Sequence, residues 1–178
     1  MKAFSSVLAL AALLLGFGAG IGLGELEGSC PECECVVEPL FSPGAEQAIV
    51  RLIESANRTI EVEMYQFSNM GLADALVAAK GRGVLVRIIL EPRLDGDDNL
   101  EMMDYLRGNG VDARWGTLEF SRTHTKVMIV DGKIVLVGSQ NWSYSAMRRN
   151  REAAVVVKCR ETASEFGNTF EADWEKAG

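Results

Sequence analysis

The chain has 178 residues, 48% of them hydrophobic, with 18 glycines, which excludes a disordered or fibrous protein and suits a compact α/β domain. A formal charge of −7 argues at first against a polyanionic substrate. From Arg114 to Arg151, however, seven basic residues face only Glu119 and Asp131, a local balance of +5 that can attract phosphate groups at short range.

Residues Phe4 to Gly24 carry no charge and follow Lys2. That length is just enough to span a bilayer, while the glycines at alternate positions from Gly16 to Gly24 suit a cleavage region. A signal peptide and an N-terminal membrane anchor are therefore rival readings of residues 1–24, with a lipoprotein-type attachment at Cys30 a weaker third. Each places the remaining domain outside the cytoplasm, exported or membrane-anchored. Residues 25–41 read as an acidic linker holding Cys30, Cys33 and Cys35, with Cys159 far downstream. Half of a zinc pattern is missing, so no metal is assigned. Export favours disulfides, whose pairing the sequence leaves open, within one chain or between two.

The body is expected over residues 42–178 as one domain. Ser42 and Pro43 suit the start of a helix running to about Asn57, whose apolar residues recur at spacings of three and four. Thr59 to Phe67 alternates as a strand, with Ile60, Val62 and Met64 on one face and Glu61, Glu63 and Tyr65 on the other. A helix over Leu72 to Lys80, a buried strand over Val84 to Leu90, a helix over Asp97 to Arg107 and a strand over Val111 to Trp115 follow. After the stretch described next come a short helix at Ser143 to Arg149, a strand at Ala153 to Val157 and an amphipathic helix at Glu161 to Lys176. Strands alternating with helices predict an α/β fold, a mixed β-sheet flanked by helices on both faces. Met102 with Met103 and the stripe Phe166, Phe170, Trp174 are read as core, while Trp142 and Tyr144 suit either a site floor or base stacking.

The chemistry concentrates between His124 and Asn141, where the only histidine of the chain opens the pattern H-x-K, D, G-S-x-N across 18 residues. Two β-branched runs, Val127 to Val130 and Ile134 to Val137, flank Asp131-Gly132, a dipeptide suited to a hairpin turn. Alternation puts His124 and Lys126 on one face and Thr125 on the other. A histidine serves as nucleophile or proton carrier, a lysine as a positive charge, and Ser139 and Asn141 as neutral donors. Together they form a cradle for a phosphate oxygen. Glu152, opening the next strand, can accept a bond from the second imidazole nitrogen and so fix the tautomer.

This spacing resembles the signature of the phospholipase D superfamily, matched at every signature position. The likeness is strongest to small single-motif members, the bacterial Nuc-type and mitochondrial Zucchini-type nucleases, and runs from Ser42 to the C-terminus. What the resemblance implies is a phospholipase D-like sandwich with one motif per chain and His124 as the nucleophile forming a phosphohistidine. It further implies Lys126 and Asn141 as phosphate ligands, Ser139 as a supporting donor, Glu152 as the group orienting the histidine, and Asp131 as the remaining motif residue. Because one histidine cannot both attack and donate a proton, the resemblance implies a homodimer with a shared site and no cofactor or metal. Nucleic acid, DNA or RNA, is the expected substrate, with Arg148 and Arg149 as further contacts. Phospholipid hydrolysis or transfer and a catalytically idle, membrane-tethered phosphate-binding protein are the alternatives.

Overall fold

The computed structural model describes residues 35–178, so the uncharged segment, Cys30 and Cys33 lie outside the described residues. Seven strands form one sheet: β1 (Val36–Phe41), β2 (Thr59–Met64), β3 (Leu85–Leu90), β4 (Asp112–Trp115), β5 (Lys126–Val130), β6 (Ile134–Gly138) and β7 (Ala153–Lys158). Their order across the sheet is β1-β7-β6-β5-β2-β3-β4. The helices are α1 (Ala45–Ser55), α2 (Met70–Gly81), α3 (Asp98–Gly108), α4 (Tyr144–Arg148) and α5 (Arg160–Lys176). Crossovers through α2 and α3 make β2, β3 and β4 parallel, and the remaining pairings are antiparallel, giving the expected mixed sheet.

Period-two alternation divides the sheet into two cores. Ile60, Val62, Met64, Met128 and Val130 face a large cluster with Ile49 and Ile53 of α1, Leu72 and Leu76 of α2, and Met103 of α3. Ile89, Ile129 and Val135 face α5, where Phe170 and Trp174 cover them. The methionine pair and most of the aromatic stripe are thus core, as read from spacing, and Trp142 joins them at 1% exposure.

Two expectations at the start of the body require correction. Residues 36–41, read as linker, form the edge strand β1 paired antiparallel to β7. Pro39 is tolerated there because an edge strand has an outer side that needs no ladder bond, and Glu38 accepts a bond from Lys158 across the pair at 2.6 Å. A disulfide between Cys35 and Cys159 joins the start of β1 to the end of β7, which decides one pairing that the sequence leaves open. Ser42 and Pro43 do not begin α1. The Ser42 amide donates to the Glu152 carbonyl at 3.1 Å and the Gly44 amide to that of Met147, also at 3.1 Å. The turn is committed to tertiary bonds, so the helix starts at Ala45.

Asp131 is likewise structural. It and Gly132 adopt positive φ, 54° and 60°, and turn β5 into β6. The Asp131 carboxylate accepts from the amides of Asn57, Arg58 and Thr59 at 2.7 to 3.2 Å, tying the hairpin to the entrance of β2. It stands at the opposite end of β5 from His124, roughly 20 Å away at the rise of a strand. Burial pushes its carboxyl up, but the three amides outweigh burial and hold it below the ordinary carboxylate value. A depressed acid contributes its stability above the ordinary pKa and loses it as pH falls through the folded value. Asp131→Ala is expected to cost about 2 kcal/mol at neutral pH and less in acid, leaving turnover of the folded protein near parental. Denaturant titrations at both pH values test this; a variant as stable as the parent and inactive would return Asp131 to the chemistry.

Candidate active site

The motif converges where β2 and β6 end and β5 and β7 begin, the end of the sheet at which its parallel strands terminate in their carboxyl ends. Lys126 opens β5 there, and His124 stands in the loop two residues before it. The Lys126 ammonium donates to the His124 carbonyl at 2.9 Å and lies 3.2 and 3.3 Å from the two ring nitrogens. Those near-equal distances put the ammonium against the ring face, out of line with either nitrogen lone pair. The Tyr65 ring backs the pair, 4.4 Å from the imidazole centre and 4.8 Å from the ammonium. Burial pulls the Lys126 pKa below its ordinary value, and the charge of Glu152 partly restores it.

Gly138 explains its own place in the motif: a Cβ there would lie 2.4 Å from the Ala153 carbonyl and from the Ala154 methyl. Only glycine lets β6 pass so close to β7. The next residue, Ser139, is thereby set beside Glu152 and donates to its carboxylate at 2.5 Å. The other carboxylate oxygen accepts from Asn150 at 2.9 Å. Among the described residues the Glu152 oxygens accept from Ser139 and Asn150, and no hydrogen bond joins Glu152 to His124. Asn141 reaches the site from the following loop, its amide 3.4 Å from Gln66, and its Oδ1 is buried without a partner. Unpaired buried acceptors are costly and concentrate where function requires them.

The basic cluster is less available than its sequence suggests. Arg148 pairs with Glu46 at 2.9 Å and Arg151 donates to the Ser42 carbonyl at 3.1 Å. Arg149, which lies 5.1 Å from the Tyr144 ring centre, has no side-chain hydrogen bond or ion pair among the described residues. Trp142 packs edge-on against Phe67, so of Trp142 and Tyr144 it is Tyr144, 56% exposed, that presents its ring to solvent.

Three residues that shape the site escape a local reading. Asn99, 3% exposed, donates to the carbonyls of Tyr65 and Glu91 and accepts from the Phe67 amide, bracing the β2 exit. Gln66 bridges Asn141 and Asp98. Glu91, wholly buried at the end of β3, accepts from the Arg93 amide and side chain at 2.9 and 3.0 Å and from the Thr123 amide. The signal available for Glu91 was its place at the carboxyl end of a buried parallel strand. Burial raises its pKa, but the bonds from Thr123 and Arg93 outweigh it and hold the carboxylate below its ordinary value.

A mixed sheet with a histidine and a lysine at the head of one strand, and a glycine-serine turn beside them, defines a phospholipase D-like domain. Residues 49–174 match the family model described as "Cardiolipin synthase, PLD-like domain". The crystal structure of Nuc from Salmonella typhimurium, a phospholipase D family member, superposes with a TM-score of 0.77 at 32% identity, covering 82% of this chain and 97% of Nuc. A phospholipase D of Rickettsia prowazekii is 33% identical over 73% of this chain, and a mitochondrial cardiolipin hydrolase of Danio rerio 28% identical over 76%. The matches span 63% and 60% of those two relatives. The chain belongs to the phospholipase D superfamily, a superfamily of phosphodiesterases.

Proposed function

We propose that this chain is a nuclease that cleaves phosphodiester bonds through a phosphohistidine on His124. The observation that carries the reading is the exposed imidazole with Lys126 against its face and neither nitrogen aligned with that ammonium. In the first step a ring nitrogen of His124 attacks phosphorus, the bond to the leaving oxygen breaks, and an acid protonates that oxygen. Water then attacks phosphorus, the nitrogen–phosphorus bond breaks, and the acid site takes up the water proton. Lys126 and Asn141 stabilise the charge on the non-bridging oxygens, and Ser139 supports them from its bond to Glu152.

The chain has one histidine, and the carboxylate of Glu152 is occupied by two donors. The acid is therefore assigned to the partner subunit's His124 in a homodimer with a shared site, since a two-fold axis places the same residue of each subunit near it. Mixing tests this once subunit exchange is verified. With one-quarter wild type and three-quarters His124→Ala, a shared site leaves about one-sixteenth of the activity, and independent sites leave about one-quarter. The second figure would refute the shared site.

Nucleic acid is favoured as substrate by the likeness to Nuc over nearly all of its length and by the unpaired Arg149 beside Tyr144. A second reading, phospholipid, is favoured by Leu118 and Phe120, which are 70% and 46% exposed on the loop before His124. Incubation with single-stranded DNA, duplex DNA, RNA and cardiolipin vesicles, all in chelator, separates the readings. Nucleic-acid cleavage whose affinity falls as salt rises is expected, because phosphate contacts release counterions. Lipid cleavage alone would overturn the nuclease reading. The Cys35–Cys159 disulfide and the uncharged N-terminal segment support a catalytic domain on the oxidising side of a membrane.

A further inference from the structure

Behind the catalytic strand, on the face covered by α5, lies a cavity of about 260 Å³. Thr125, the residue between His124 and Lys126, lines it, so the cavity and the site share one strand and face opposite ways. Its other walls are unusual for a core. Phe166 and Phe170 supply aromatic surface, Val127 and Ile129 the floor, and Glu63, Glu165 and Asp173 bring three carboxylates and no cation. Glu63 is 8% exposed, and among the described residues its carboxyl forms no ion pair. Burial, then the charge of Asp173, push the Glu63 pKa up to about 7, and burial raises that of Asp173 as well. An acid kept beside another acid out of water is unfavourable unless something neutralises it.

The cations that approach the walls are committed elsewhere. Arg87, 5.2 Å from the Phe170 ring centre, bonds Glu61 and Glu171. Lys176, whose charge favours ionised Asp173, bonds Glu119 at 2.8 Å. Nor do the three carboxylates suit a bare metal ion. Among the described residues, the potential ligand atoms that converge within 4.8 Å of one another belong to Cys35, Cys159 and Glu161. The acids of the cavity are spread around a volume near the small end of ligand sites, with aromatic and aliphatic surface between them.

We propose that this cavity binds a small organic cation, a protonated amine carrying a short apolar body, with its ammonium between Glu63 and Asp173 and its body against Phe166 and Phe170. The ammonium supplies the charge that the walls lack, and the rings attract it through their faces as well as by apolar contact. Occupancy bears on the catalytic strand through Thr125, whose carbonyl accepts from the Tyr65 amide at 2.9 Å.

Calorimetric titration of the full chain with 2-phenylethylamine at pH 8 tests the assignment, with 2-phenylethanol as the neutral match and magnesium as the metal alternative. The amine should bind saturably at one site per chain, the alcohol at least tenfold more weakly, and magnesium not at all. Glu63→Gln should weaken the amine at least tenfold, and Glu101→Gln, on the exposed surface of α3, should leave it unchanged. Lowering the pH to 5 should also weaken it, as Glu63, whose pKa is pushed up to about 7, takes up a proton. If Glu63→Gln fails to fold, Asp173→Asn carries the same test from nearer the solvent. Absence of saturable amine binding, equal binding of amine and alcohol, binding of magnesium in place of the amine, or a Glu63→Gln affinity equal to the parent would each overturn the proposal. None of these readouts depends on which phosphodiester the chain cleaves.

Discussion

His124→Ala is expected to lose at least about a thousandfold in turnover on a phosphodiester while melting at the parental temperature. The side chain is exposed, so its removal leaves no cavity, and β5 is held by Met128, Ile129 and Val130, each 1% exposed, rather than by the imidazole. Bis-p-nitrophenyl phosphate is the suitable substrate because it reports the chemistry without recognition of a nucleobase or an acyl chain. Lys126→Ala should fall nearly as far, since it removes the charge against the ring. Turnover within tenfold of the parent in His124→Ala would end the phosphohistidine mechanism. Glu152→Gln should be milder: its amide can keep one bond to the Ser139 hydroxyl, and the nucleophile remains.

The second large effect lies away from the motif. Glu91→Ala should destabilise the fold by about 3–5 kcal/mol, the range for breaking a buried pair by deleting one partner. Its carboxylate is the hub of a clasp. Beyond its bonds to Arg93 and Thr123, Arg93 donates to the Phe120 carbonyl at 2.7 Å and Arg122 to the Arg93 carbonyl at 2.6 Å. Alanine would leave the Thr123 amide and the Arg93 side chain facing a void, and the loop that delivers His124 would lose its anchor. Turnover should therefore fall as well, although Glu91 does not reach the imidazole. Because the folded pKa lies below the ordinary carboxylate value, the clasp contributes fully above that value and is lost as pH falls through the folded one. Denaturant unfolding at neutral pH gives the measure, and a loss under 1 kcal/mol would show that the loop is held by other contacts.

The partners of two acids of the motif region were hidden for one cause. Glu152 was legible as a carboxylate one strand beyond the motif, and Asp131 as a motif acid, but neither local sequence reveals which donors each meets. Those donors are Ser139 and Asn150 for the first and the amides of residues 57–59 for the second. The partners of Asp131 lie more than 70 positions away in the chain. Arg148 illustrates the same point: a basic run beside a phosphate site reads as substrate contact until Glu46, 102 positions upstream, takes one guanidinium.

Local sequence alone determined the order of strands and helices within the body, the mixed α/β class, the hairpin at Asp131-Gly132 and the shared face of His124 and Lys126. Each follows from periodicity or backbone preference over a few residues, where alternation and turn chemistry act without knowledge of the rest of the chain. Tertiary structure decided the inclusion of β1, the Cys35–Cys159 bond, the hydrogen-bond partners of Asp131, Glu152, Glu91 and Asn99, and the acid-lined cavity behind Thr125. Hydrogen bonds, ion pairs and burial are made between groups distant in sequence, so their partners appear only when the sheet has set its strands side by side.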